Sequence, residues 1–197
     1  RQCIPEFRLP KKILDEEINH IKDLGVEIKT NTRVGTDLTI KELWKQGFKA
    51  ILVSVGAHRT RKLGVEGEDL EGVFDALDFL KQVNSNEKVN VGERVVVVGG
   101  GNVAIDSART ALRQGAKQVT ILYRRSRDEM PANPYEIKEA EEEGIKTQFL
   151  AAPKRILGQN GRVNSIECMK MALGEPDETG RRAPKPVEGS EFKLQTD

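Results

Sequence analysis

Apolar positions recur along the chain in distinct rhythms, each of which predicts a different element. From Lys11 to Leu24 they fall at Ile13, Leu14, Ile18, Ile21 and Leu24, the spacing of one helical face, and Gly25 closes the run. Val26-Glu27-Ile28 alternates like a short strand. Thr39 followed by Glu42 predicts a capping box that opens a short helix with Leu43 and Trp44 on it. Trp44 and Phe48 are expected in a core. Ala50 to Val55 is a near-continuous apolar run ending at Gly56-Ala57, which predicts a strand buried in a parallel sheet. Residues 61–92 are largely polar and read as a connector with a helical stretch at 74–83.

Beyond this the pattern sharpens. Arg94 to Val98 predicts a buried strand, Gly99-Gly100-Gly101 a turn, and residues 102–114 a helix whose apolar stripe is Ala104, Ala108, Ala111 and Leu112. Gly115 suits the left-handed position after a helix. Val119 to Tyr123 is the next strand. Strand, glycine turn, helix and strand in about 30 residues make a βαβ unit. Asn133 as N-cap with Pro134 at the first helical position opens another helix, which ends at Gly144, and residues 146–150 form a third strand. Asn160-Gly161 between β-like runs at 154–158 and 162–171 predicts a hairpin. Residues 174–190, rich in Gly, Pro and charge, are expected as a loop, with a last strand around Phe192 and Leu194.

The fold class expected is therefore α/β: a Rossmann-like nucleotide-binding domain with a parallel sheet and an antiparallel hairpin insert. Charge narrows the partners. Lys plus Arg number 32 and Asp plus Glu 31, so neither nucleic acid nor an anionic membrane is expected as partner. No apolar run approaches the roughly 20 residues that span a bilayer. Residues 1–30 show no charged-then-apolar run ending at a small-residue cleavage site, so a secreted class is not expected. Two cysteines, Cys3 and Cys168, are too few for a four-thiolate metal or iron–sulfur site or a disulfide framework, so a reducing cytoplasm is the expectation.

Gly99-x-Gly101-x-x-Ala104 after a strand and at the start of a helix is the dinucleotide-binding pattern in its required context. Gly99 permits the tight turn, Gly101 lets the backbone approach a pyrophosphate, and Ala104 lets helix and strand pack closely. The free N–H groups at the helix start face the anion. A glycine turn without a ligand is the plainer alternative. About 20 residues on, where an NAD site commonly carries an acidic residue for the ribose, stands Tyr123-Arg124-Arg125-Ser126-Arg127. A guanidinium can clamp a 2′-phosphate that a carboxylate would repel, which argues for NADP over NAD. The plainer alternative is a solvated basic turn, since Asp128 and Glu129 follow. The candidate cofactor residues are thus Gly99, Gly100, Gly101, Asn102, Val103, Ala104, Arg124, Arg125 and Arg127, with no catalytic side chain and no metal ligand among the candidates. Asp106 is too close to the glycines to serve the ribose. His20 and His58 read as surface or packing residues and Cys168 as a small buried hydrophobe.

The runs Ile4-Pro5-Glu6-Phe7-Arg8-Leu9-Pro10-Lys11, Gly99-Gly100-Gly101-Asn102-Val103-Ala104-Ile105-Asp106 and Tyr123-Arg124-Arg125-Ser126-Arg127-Asp128-Glu129-Met130-Pro131-Ala132 together resemble the glutamate synthase small (beta) subunit family. Relatives of that family include the ferredoxin:NADP oxidoreductase large subunit and the N-terminal half of dihydropyrimidine dehydrogenase. The resemblance implies a flavoprotein in which an NADP-binding domain is inserted into an FAD-binding domain and electrons pass between NADPH, FAD and iron–sulfur clusters. It implies that residues 1–60 are a remnant of the FAD-binding domain, 61–91 a linker and 92–197 the NADP-binding domain with its last strand truncated. FAD and the clusters would belong to the parent protein, whose partner would be a glutamate synthase large subunit or a ferredoxin-type protein. A non-enzymatic NADP-binding module and an independent NADP-dependent dehydrogenase stand as alternatives. The second lacks a Tyr-x-x-x-Lys pair, since Arg127 follows Tyr123 at that spacing and Glu139 follows Tyr135.

Overall fold

The structure is a computed structural model that describes residues 2–56, 60 and 62–197. His58, with Ala57 and the termini of two predicted segments, lies outside the described residues. The chain divides into two compact units, one of Arg1–Arg8 with Thr60–Asp197, the other Leu9–Arg59.

The smaller unit contains α1 (Lys11–Asp23) and α2 (Ile40–Lys45). The capping box is present: Thr39 Oγ1 accepts from Glu42 N at 3.2 Å, and Glu42 Oε2 accepts from Thr39 N at 2.7 Å. None of this unit's described residues is buried. Trp44 and Phe48, expected in a core, are about half exposed, at 50% and 53%. Neither Val26–Ile28 nor residues 50–55 forms a strand, and Leu52 is 92% exposed. An apolar run becomes a buried strand only where neighbours take up its N–H and C=O groups, and no described segment pairs with this one.

The larger unit is built on a parallel sheet. β1 (Arg94–Val98), β2 (Gln118–Tyr123) and β3 (Lys146–Phe149) lie in the order β1-β2-β3, with Val98 opposite Leu122 and Tyr123 opposite Phe149. α4 (Asn102–Arg113) crosses from β1 to β2, and α5 (Pro134–Glu142) from β2 to β3. Asn133 caps α5 by accepting from Tyr135 N. The run of valines in β1 packs on both faces of the sheet, but Val95 to Val98 are half-buried rather than fully buried as the sequence predicts, because a cavity lies along this strand. Val95, Val97, Val119, Ile121 and Tyr123 pack against the helices, together with Ile105, Ala108, Ala111 and Ile137. Val96, Val98 and Leu122 pack on the opposite face with Ala151, Ile166, Cys168, Phe192 and Leu194.

That second face is covered by an antiparallel sheet of β4 (Ala151–Gln159), β5 (Arg162–Pro176), β6 (Arg182–Pro186) and β7 (Phe192–Gln195), in the order β4-β5-β6 with β7 also paired to β5. The hairpin at Asn160-Gly161 is present, and Asn160 and Gly161 both have positive φ. The region 174–190, expected as a loop, instead holds the end of β5 and all of β6. Residues 61–91, read as a connector, carry α3 (Ala76–Asn84), whose Phe79 and Leu80 are buried in the core. The same stretch is tied to the hairpin, since Ile156 N donates to Glu66 O at 2.7 Å and Val163 N to Glu71 O at 2.9 Å.

Candidate functional site

Because β1 and β2 are parallel neighbours in register, the turns that leave their carboxyl ends lie side by side. The turn after β1 is Gly99 to Gly101; the turn after β2 is Arg124 to Arg127. In open parallel sheets, ligands bind in the crevice at this end of the strands.

Gly99 has φ +138°, a backbone state that L side chains rarely adopt, and its N–H donates to Leu122 O at 3.0 Å, which ties the glycine turn to β2. A Cβ at Gly100 would lie 2.5 Å from Cε2 of Tyr123, so this glycine makes room for the ring. A Cβ at Gly101 would meet nothing within 4 Å. The second glycine of the pattern therefore opens onto free space, while Ala104 packs inward at 8% exposure.

Gly101 is the N-cap of α4 and supplies no side chain to satisfy the first N–H groups. Ala104 N and Ile105 N both reach Gly101 O, while no acceptor takes Asn102 N or Val103 N among the described residues. Two orphan donors at the positive end of a helix form an anion-binding feature. Asn102 and Val103 are exposed there. The Asn102 side chain is already engaged: its Oδ1 accepts from Asn133 N at 2.9 Å, and Gly100 O accepts from Ala132 N at 3.1 Å, so the loop before α5 braces the glycine turn.

The three arginines of the basic turn differ. Arg124 is exposed and carries no hydrogen bond or ion pair among the described residues. Arg125 is turned inward, 3% exposed. It donates from Nε to Arg182 O at 2.7 Å and from Nη2 to Asp177 Oδ2. Arg127 is exposed but forks onto Glu141, which raises the arginine's pKa and lowers the glutamate's. Glu129, held below the usual carboxylate range first by the Ser126 hydroxyl and then by Arg182, locks the turn through a capping box.

Sequence reasoning missed the charged layer beneath the site. Arg8 lies 2.8 Å from Asp106 Oδ1 and 2.6 Å from Glu136 Oε2. Arg109 meets Glu139 and Glu143 at 2.7 Å each. The Phe7 ring lies against the guanidinium groups of Arg109 and Arg113, 4.5 and 4.2 Å from its centroid. Burial raises the Asp106 pKa while Arg8 lowers it in part. This layer ties the segment before residue 9 to α4 and α5; the sequence signal was the Phe7-Arg8 pair of the first resemblance run. A cavity of about 430 Å³ lies elsewhere, along β1 between Phe79, Ser107 and Val163, and is lined by none of the candidate cofactor residues.

The fold is that of a Rossmann-type α/β unit backed by an antiparallel sheet. The pyridine nucleotide-disulphide oxidoreductase family matches residues 36–179, and the chain belongs to that family. It is 48% identical over 198 residues to the NADPH-Fe(3+) oxidoreductase subunit beta of Geobacter sulfurreducens, covering 98% of this chain and 29% of that protein. It is 37% identical over 207 residues to the glutamate synthase [NADPH] small chain of Escherichia coli, covering 98% of this chain and 43% of that one. The resemblance read from the sequence is thus borne out, and the chain spans less than half the length of either relative. Among solved structures, the oxidoreductase FprA of Mycobacterium tuberculosis matches with a TM-score of 0.81 at 22% identity, covering 100% of this chain and 59% of that chain. That likeness is one of fold. No helix among the described residues is long and apolar enough to cross a membrane.

Proposed function

We propose that this chain is the NADP(H)-binding part of a flavoprotein oxidoreductase resembling the glutamate synthase small subunit, passing electrons between NADPH, FAD and iron–sulfur centres of the parent protein. One observation carries the reading: the open approach at Gly101, the two orphan N–H groups of α4 and the unpaired Arg124 all sit at the carboxyl ends of neighbouring parallel strands. Gly99, Gly100, Gly101, Asn102, Val103 and Ala104 would form the pyrophosphate turn. Arg124 would take the 2′-phosphate, with Arg125 and Arg127 supporting the turn through their ion pairs. When bound, the nucleotide supplies a hydride from its nicotinamide ring. The residues of this chain bind and orient it, and none is needed as acid or base.

The names of the relatives support the choice of NADP, and two free cysteines, one of them buried, support a reducing cytoplasm. The electron partner would be a glutamate synthase large subunit or a ferredoxin-type protein. Calorimetric titration of the whole chain with NADPH and NADH tests the binding reading. Arg124→Ala is expected to weaken NADPH by roughly ten- to a hundredfold, the worth of a charge-assisted bidentate contact, with NADH little affected. Equal losses for both nucleotides, or a wild-type chain that binds neither, overturn it.

A further inference from the structure

The turn that carries Arg124 is fastened from a distant part of the chain. β5 and β6 run out to a tight tip, where Asp177 N donates to Arg181 O and Gly180 N to Asp177 O, both at 2.8 Å. Asp177 is fixed in place because its Oδ1 accepts from Thr179 N at 2.9 Å and from the Thr179 hydroxyl. Its other oxygen takes Arg125 Nη2, 52 residues away in sequence. Arg125 also donates to the main-chain oxygen of Arg182. The Arg182 side chain returns the contact: Nε donates to Glu129 Oε1, and Nη2 lies 3.4 Å from Ser126 Oγ. Glu129 accepts in turn from Ser126 N at 3.1 Å, and its main-chain oxygen accepts from the Tyr123 hydroxyl at 2.6 Å.

The consequence is a division among the turn's arginines. Arg125 is matched by Asp177 and Arg127 by Glu141, and Glu129 is matched by Arg182. Arg124 alone of the three has no acid among the described residues. The Arg125 side chain is only 4% exposed. The side chain of its partner Asp177 is 28% exposed, so only the guanidinium is fully desolvated. Such a pair adds little net stability, because desolvation offsets the Coulomb gain, but it selects one arrangement, since a buried guanidinium left alone is costly.

We propose that Asp177 and Arg182 are positioning residues of the 2′-phosphate subsite. They hold Arg125 inward and fix the turn from Tyr123 to Glu129, so that Arg124 is the guanidinium presented to the phosphate. This rests on the reading of Arg124 given above. It makes selectivity for NADPH over NADH depend on an arm of the antiparallel sheet that supplies no ligand of its own.

Asp177 offers a test in which positioning and charge predict opposite signs. Removing a carboxylate near a cationic subsite strengthens binding of a phosphate by charge alone; loosening the turn weakens it. NADPH and NADH dissociation constants are measured by calorimetry on the whole chain for wild type, Asp177→Ala, Asp177→Asn and Arg124→Ala, with a thermal melt as the check of folding. Asp177→Ala is expected to weaken NADPH roughly tenfold while NADH stays within about twofold, because a misplaced charge-assisted contact is lost. Asp177→Asn, which keeps an acceptor for Arg125, is expected to recover most of the preference. If NADPH binding to Asp177→Ala is unchanged or tighter, or if both nucleotides lose equally, while Arg124→Ala abolishes the preference, the positioning role falls and the 2′-phosphate reading stands. If Arg124→Ala keeps the preference, both fall. Should Asp177→Ala fail to fold, Arg182→Gln is read the same way: a selective loss of NADPH supports the proposal, and an intact preference overturns it.

Discussion

Gly100 and Gly101 are neighbours, yet adding one methyl group to each is expected to have opposite consequences. At Gly100 the new carbon would lie 2.5 and 2.6 Å from Cε2 and Cδ2 of Tyr123 and 3.0 Å from Cζ. Carbon atoms rest about 3.5–4.0 Å apart, so the ring must retreat by about 1 Å. It has little room to do so. Tyr123 is 5% exposed, ends β2, packs in the core and donates its hydroxyl to Glu129 O. Overpacking of this kind costs about 1–3 kcal/mol, which in a chain of this size lowers Tm by about 3–10 °C. At Gly101 the backbone is extended, φ −92° and ψ 175°, which alanine adopts without strain, and nothing lies within 4 Å of the added carbon. Gly101→Ala should therefore change stability by less than about 0.5 kcal/mol. It should also abolish measurable NADPH binding, because its methyl fills the approach to the orphan N–H groups of α4. Thermal denaturation followed by circular dichroism, paired with calorimetric titration, separates the two effects. A Gly101→Ala variant that binds NADPH like wild type reduces the glycine run to an ordinary turn. A Gly100→Ala variant that melts with wild type refutes the packing argument.

Two further outcomes follow from titratable groups. Arg113 and Arg109 hold the Glu143 carboxyl at about 2 against 4.5 for a free glutamate. Its stabilisation is present above about pH 4.5 and is lost as pH falls through about 2, so Glu143→Gln should cost on the order of 3 kcal/mol at most at neutral pH and almost nothing near pH 2; urea unfolding across pH 2 to 7 measures the gap, and a constant gap refutes the assignment. Burial pushes the Cys168 thiol up to about 11 and leaves it 0% exposed, so iodoacetamide at pH near 8 should label Cys3 and spare Cys168 until denaturant is added, as read by mass spectrometry.

How far the sequence could be read depended on whether an element's partners lie nearby. The βαβ unit was legible because its valine and alanine pattern, its glycine turn and its capping Asn133 are local signals that agree, and both faces of the sheet are covered within the unit. The same apolar rhythm misled at residues 50–55, because a strand is a property of a pair and no described segment pairs there. The charged and proline-rich stretch after Gly174 misled in the opposite direction. β6 carries Pro184 and Pro186, and it tolerates them because it pairs with β5 alone, at the edge of the sheet.

The candidate site divides along the same line. Spacing located the glycine turn, since three positions within six residues decide it. The adjacent arginines were equivalent on the sequence, and only the folded arm separates them: Asp177 reaches Arg125 across 52 positions, while Arg124 is left open. A count of charge in the turn therefore says little about its affinity for a phosphate. Arg124, Arg125 and Arg127 contribute equally to that count, yet two of them are neutralised by Asp177 and Glu141. Under the 2′-phosphate reading, selectivity follows from which arginine lacks an acid, and that is decided by side chains far from the turn in sequence.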